Sequence, residues 1–232
     1  MQIKTFVLCA SLAVASMTSP AVAVTAPFTE TFNTNASNWL NGAAAVPTYN
    51  SSGGVDDSGY ISYTSSFTSG SSGGFGAPPL QILFRANASA DASGDAFVGD
   101  WLGADVVSLS LTVRHNYTST LNLYARFDAG SGRAASLAVD AEFAIAPNTW
   151  TTIVIPITES NPPFSSYGAG NFNNVFSAIQ NLQLGLYVPA NTTFTDLRMD
   201  VDSVGMAVPE PTSTLLICLG LGFVALRRRR KN

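Results

Sequence analysis

The sequence predicts an all-β protein, an antiparallel β-sandwich carried between two apolar termini that lie outside it. Three observations lead there. Apolar and polar side chains alternate with period two through the middle of the chain, the pattern of strands with one face on a core and the other in water. Clusters of Gly, Pro, Asn and Ser, rather than helical stretches, separate the candidate strands. Long amphipathic helices, which a parallel α/β sheet needs to connect and cover its strands, are missing.

Taken in order, the chain begins with Lys4, an apolar stretch at 6–14 and the small-residue sequence Ala21-Val22-Ala23. Residues 1–23 are therefore read as a signal peptide cut after Ala23, which implies signal peptidase and the secretion machinery as partners. Residues 24–207 are expected to form one domain, of a length that suits a single sizeable core.

Within that domain, Val107, Leu109, Leu111 and Val113 alternate with Ser108, Ser110, Thr112 and Arg114. Leu121, Leu123, Ala125 and Phe127 alternate in the same way with Asn122, Tyr124 and Arg126, so both segments read as half-buried strands with a hairpin connection at 115–120. Further strands are expected at 59–63, 81–86, 135–139, 150–157, 182–188 and 194–204, which makes eight to ten in all. Phe172, Val175, Phe176 and Ile179 have helical spacing and predict one short helix or turn within 171–180. Segments 50–54 and 68–79 are rich in Ser and Gly without periodicity and read as mobile loops.

Both cysteines, Cys9 and Cys218, fall in the apolar termini, so the domain folds without disulfides. Charge is distributed just as unevenly. Between the termini stand Arg85, Arg114, Arg126, Arg133 and Arg198 against fifteen carboxylates, Glu210 included, for a net charge of −10 and no lysine. Such a surface repels phosphate backbones, which excludes nucleic acid as a partner and leaves cations and neutral glycans.

At the carboxyl end, Pro209-Glu210-Pro211 precedes an apolar span at about 212–226 and the basic cluster Arg227, Arg228, Arg229, Arg230 and Lys231. The prolines keep the tripeptide extended, and the cations resist translocation, so the bulk of the chain is held outside. As a helix the span reaches roughly 22 Å, short of the hydrocarbon thickness of about 30 Å, which suits a transient anchor. This order closely resembles the PEP-CTERM sorting signal. The resemblance covers residues 208–232 and implies an exosortase, a membrane-embedded cysteine transpeptidase, that processes the chain near Pro-Glu-Pro and delivers it to the cell surface or the extracellular space. It speaks of destination and not of activity.

A second resemblance concerns the domain. Glu30-Thr31-Phe32, Asn38-Trp39, Phe97 with Trp101, Trp150 ahead of Ile153-Val154-Ile155-Pro156-Ile157, and Val201-Asp202-Ser203-Val204 are similar to motifs of galactose-binding-like jelly-roll domains, the fold of many carbohydrate-binding modules. That resemblance implies a structural calcium held between Glu30 and Asp202, completed by backbone carbonyls. Asp91, Asp95, Asp100 and Asp105 lack EF-hand spacing and read as a solvated loop.

Asp196, Asp200 and Asp202 are expected on one face of the last strand with Arg198, paired across strands with Arg85, Arg114 or Arg126. Trp150, directly ahead of an apolar strand, is expected in the core. Among the remaining aromatic residues, Tyr117 in a hairpin and Tyr167 beside Gly168 are the candidates for stacking on a sugar.

Catalytic motifs are scarce. His115 is the only histidine, and neither a G-x-S-x-G elbow nor an H-E-x-x-H is present. Arg114 beside it is expected to depress its basicity. Glu142 and Glu159 are the pair available for two-carboxylate glycoside hydrolysis, both expected in loops or at edges. The sequence thus favours a non-catalytic structural role among exopolysaccharide or biofilm components. A carbohydrate-binding module is the alternative, and a secreted glycan hydrolase the third reading.

Overall fold

The structure, a computed structural model, describes residues 24–70, 82–130, 135–160, 164–168 and 170–210, with backbone alone for 135–142, 167 and 168. The signal peptide, the apolar span, Pro211 and the basic tail lie outside the described residues. Among the described residues no helix is long and apolar enough to cross a membrane.

Twelve strands are present among the described residues, and they form two six-stranded antiparallel sheets. In sheet 1, β3 (Thr48–Asn50), β4 (Tyr60–Thr68), β12 (Thr193–Ala207), β6 (Ser108–His115) and β9 (Thr151–Pro156) lie side by side, and β1 (Phe28–Glu30) also pairs with β12. Sheet 2 runs β10 (Ser165–Gly168), β8 (Ala135–Ile145), β7 (Leu121–Asp128), β11 (Asn181–Tyr187), β5 (Leu83–Asn87) and β2 (Leu40–Asn41). The chain passes back and forth between the sheets, in at β4, over to β5, back at β6 and over again at β7, so the architecture resembles a jelly roll.

The core follows from strand parity. Leu109, Leu111 and Val113 of β6 and Ile153 and Ile155 of β9 face Leu123, Ala125 and Phe127 of β7 and Leu182, Leu184 and Leu186 of β11, all buried. Trp39 and Trp101, each fully buried, fill one end with Phe32, Phe97 and Phe176 through edge-on and tilted ring contacts. The short helix α1 (Phe172–Phe176) sits where the spacing predicts it. Asn171 caps it, accepting from the Asn174 N–H while the Asn174 side chain accepts from the Asn171 N–H, and Val175 and Phe176 turn inward.

Several elements differ from expectation. Strands β2, β3 and β10 are too short to show alternation and escape a periodicity search. β8 extends to Ile145, well beyond 139, so Glu142 lies in a strand at the register shift opposite Leu123 instead of in a loop. β7 is buried on both faces: Tyr124, Arg126 and Asp128 are at most 9% exposed. The 50–54 segment is not slack either. The Gly54 N–H donates to the Ser58 carbonyl, the Gly53 N–H to the Asp57 carboxylate, and Trp150 Nε1 to the Gly53 carbonyl.

Candidate functional site

The outer face of sheet 2 carries the one feature that the alternation hides. Residues pointing away from the core on β5, β11 and β7 are polar, and the register aligns them in rows. Arg85, Gln183 and Arg126 are directly opposed across three strands, and the next row holds Asn87, Asn181 and Asp128. Together with the turn 88–89 and the 129–130 end of β7 they line a groove of about 820 Å³. That volume falls in the range of small-molecule sites, roughly 300–1,000 Å³.

The groove is electrostatically mixed. Arg126 Nη2 lies 2.7 Å from Asp128 Oδ2, and the Gly130 N–H donates to Asp128 Oδ1 at 3.2 Å. Burial pushes the Asp128 carboxyl above its usual range, opposed by the Gly130 N–H and by Arg126. Arg85 has less support: its Nη2 reaches the Gly42 carbonyl at 3.4 Å, while Nε is shielded from solvent and has no hydrogen-bond partner. Burial, and then the neighbouring positive charge of Arg126, lower the Arg85 pKa. Asn181 Oδ1 on the groove floor is likewise shielded and has no donor. Buried polar atoms are nearly always satisfied, so Arg85 and Asn181, which both line the groove and each keep one unsatisfied polar atom, are exceptions.

The residues singled out by the sequence fall elsewhere. Tyr117 is half-buried and packs on Phe194 with centroids 5.0 Å apart and the rings tilted by 59°, at the edge of a small recess of about 240 Å³ with Asn116 and Thr193. Tyr167 lies in β10 opposite Ser136, whose other neighbour is Asp128, so its backbone extends the row that holds Asn87 and Asn181. Glu30 accepts from the Phe32 N–H and the Ser93 hydroxyl, and Asp202 Oδ1 from the Val55 N–H and the Ser58 hydroxyl, so the two carboxylates engage different loops. Among the described residues no group of three or more His, Cys, Asp or Glu could hold a metal ion.

The acidic face of β12 is only partly as expected. Register shifts between Phe194 and Leu197 and between Val201 and Ser203 rotate the three acids apart. Asp200 is fully buried and pairs with Arg114 at 2.9 Å and Arg198 at 3.1 Å, whereas Arg85 and Arg126 belong to the other sheet. Trp150 is half-exposed and outside the core. It packs on the Arg114 guanidinium 4.2 Å from its ring centre and edge-on to Tyr60, because Ile153 and Ile155 point inward and position 150 has the opposite parity.

His115 is fully buried with both ring nitrogens occupied. The Tyr117 N–H donates to Nδ1, so Nε2 carries the proton and donates to the Ile145 carbonyl. Its pKa is lowered by burial, not by Arg114, which faces the other way. An imidazole so engaged is not a base. Glu159 is exposed and lines a separate recess with Asn171, Asn173 and Asn174.

No curated protein sequence matches the chain. Among solved structures it is similar to an exo-β-agarase, at 12% identity and a TM-score of 0.48, covering 78% of this chain and 24% of the other. It is also similar to a family 11 carbohydrate-binding module from Clostridium thermocellum in complex with a β-1,3-1,4-mixed-linked tetrasaccharide, at 13% identity and a TM-score of 0.42, covering 75% and 91%. The chain thus spans about a quarter of the agarase. The sandwich ends at Ala207, where β12 releases the chain into exposed Pro209 and Glu210, and residues 207–231 match the PEP-CTERM protein-sorting motif.

Proposed function

We propose that the chain is exported, held briefly by its carboxyl-terminal span, processed by an exosortase near Pro209 and Glu210, and delivered to the cell surface or extracellular matrix. There its sandwich binds polysaccharide without cleaving it, through the groove on the outer face of sheet 2. The observation that carries this reading is the paired rows of planar hydrogen-bonding side chains, Arg85-Gln183-Arg126 and Asn87-Asn181-Asp128, on one rigid sheet face. Sugars present hydroxyls in every direction, and guanidinium and amide groups fixed by strands meet them with little loss of side-chain freedom.

Binding is favoured over hydrolysis by the count of acids. Among the described side chains lining the groove Asp128 is the one carboxylate, and Arg126 holds it. Glycoside hydrolysis uses two carboxylates about 5–9.5 Å apart. The full chain, purified in a detergent without a sugar headgroup, is expected to bind members of a glycan array, and Gln183→Ala with Asn181→Ala is expected to abolish that binding while the melting temperature holds. Binding that survives both substitutions places the contact elsewhere.

A further inference from the structure

We infer that the groove of sheet 2 recognises a glycan carrying isolated carboxylates, a uronate unit within a sparsely charged chain, and that Arg85 receives the carboxylate. The inference rests on the polysaccharide-binding reading above and adds the ligand class.

Arg85 and Arg126 stand on one face with Gln183 between them, and the two guanidiniums are not equivalent. Asp128 neutralises Arg126 at 2.7 Å. Arg85 has no carboxylate within ion-pair distance among the described residues, and its strongest anchor is one long contact to a carbonyl. Arg85 lines the groove and is only partly buried, so the outer end of its guanidinium offers donors there, while the shielded Nε is left without an acceptor. A planar carboxylate is the group whose geometry matches a guanidinium edge, with two parallel charge-assisted hydrogen bonds. An incoming anion also relieves both influences that disfavour the Arg85 charge, burial and the repulsion from Arg126.

Asn181 Oδ1 supplies the complementary half. Asn181 lines the groove one row from Arg85, and an amide oxygen accepts from a sugar hydroxyl but not from a second carboxylate. One donor edge and one acceptor within a single groove describe a sugar with both an acid and an alcohol function. Dense polyanions are disfavoured by the net charge of −10 on the stretch between the two apolar termini, a repulsion that acts over about 8 Å at physiological salt. A lone carboxylate seated on Arg85 escapes most of it.

The test compares oligosaccharides that contain glucuronate, galacturonate or mannuronate with their carboxyl-reduced counterparts, on the full chain and on two variants. At least one uronate form is expected to bind about tenfold or more tightly than its reduced form, a difference of about 1.4 kcal/mol. Arg85→Gln is expected to abolish the preference for the uronate form, so that acid and reduced forms bind this variant equally, and Arg85→Lys to recover part of the preference. Equal binding of acid and reduced forms overturns the inference and leaves the groove as a neutral-glycan site, and a uronate preference that survives Arg85→Gln overturns it because the carboxylate is then received by another group. Absence of binding to every probe overturns the inference and the polysaccharide reading together.

Discussion

At the scale of single residues, parity decides what the sequence reveals. Ile153, Ile155 and Ile157 fix which positions of β9 face the core, and by that count Trp150 belongs outside, against Arg114 and Tyr60. Hydrophobicity suggests the core for Trp150, and position overrules it. The same parity written on β5, β7 and β11 made the groove residues visible as the polar half of each strand. What it could not show is that Arg85, Gln183 and Arg126 share one row, because register is set by long-range pairing. His115 illustrates the energetic side. Its folded-state pKa lies below the ordinary 6.5, so below that pH the unfolded chain takes up a proton that the folded chain refuses. The stability His115 contributes is complete above about pH 6.5 and falls as pH drops below it, by about 1.4 kcal/mol per pH unit until the folded pKa is reached. Asp128 and Asp200, whose pKa values are raised by burial, act with the opposite sign nearer 3.8, so the comparison must be with a variant that keeps them. The stability difference between wild type and His115→Gln, from denaturant unfolding, is expected to shift toward the variant as the pH is lowered from about 7.5 to about 5.5. A difference that stays constant means that the ring is protonated in place.

At the scale of elements, long strands were legible and short ones were not. β6 and β7 repeat their pattern for eight residues each, enough for period two to stand out, whereas β2 has two residues and β3 three. Those short strands exist because their neighbours in the sheet supply the pairing. β12 runs for fifteen residues and was recognised, yet two register shifts scattered its acids, and a bulge leaves no mark in alternation. Asp200 is buried on the outer face between Arg114 and Arg198, while Asp202 turned to the 54–58 turn. Gly185 shows how an element shapes the groove. It lies on the outer face of β11, two residues beyond Gln183, and a Cβ there would stand 2.7 Å from the Ile82 carbonyl and 2.8 Å from Leu83 Cβ. Leu83 opens the strand that carries Arg85 and Ile82 directly precedes it, so that stretch of backbone must move. Gly185→Ala is expected to destabilise the fold by about 1–3 kcal/mol, the usual cost of overpacking, and to weaken glycan binding more than its stability loss explains. Calorimetric unfolding and glycan titration of the same preparation check both halves; an unchanged melting temperature shows that β5 and β11 separate freely.

At the scale of the whole molecule, the chain divides its charge by destination. The sandwich concentrates negative charge on a domain without lysine, while the end of the chain carries four arginines and a lysine in succession. Lipid bilayers read such an asymmetry physically, since cations adjoining a short apolar span resist crossing and an acidic domain does not stay with anionic headgroups. β12 contributes at the other side of the boundary. It is held between β4 and β6 and also pairs with β1, so the chain leaves the sandwich at Ala207 from a strand that cannot peel away easily, and Pro209 and Glu210 stand exposed directly after it. In the proposed processing, an enzyme acting at exposed Pro209 and Glu210 does not have to unfold the sandwich first. Removal of residues 227–231 takes away the stop to translocation and leaves the Pro-Glu-Pro sequence intact. The truncated chain is expected to pass the membrane without being held for processing, so that mass spectrometry of the exported product finds the apolar segment still attached, whereas the wild-type product ends near Pro209. Identical termini for the two products overturn the role given to the basic cluster, and the sorting step must then be read from the tripeptide alone.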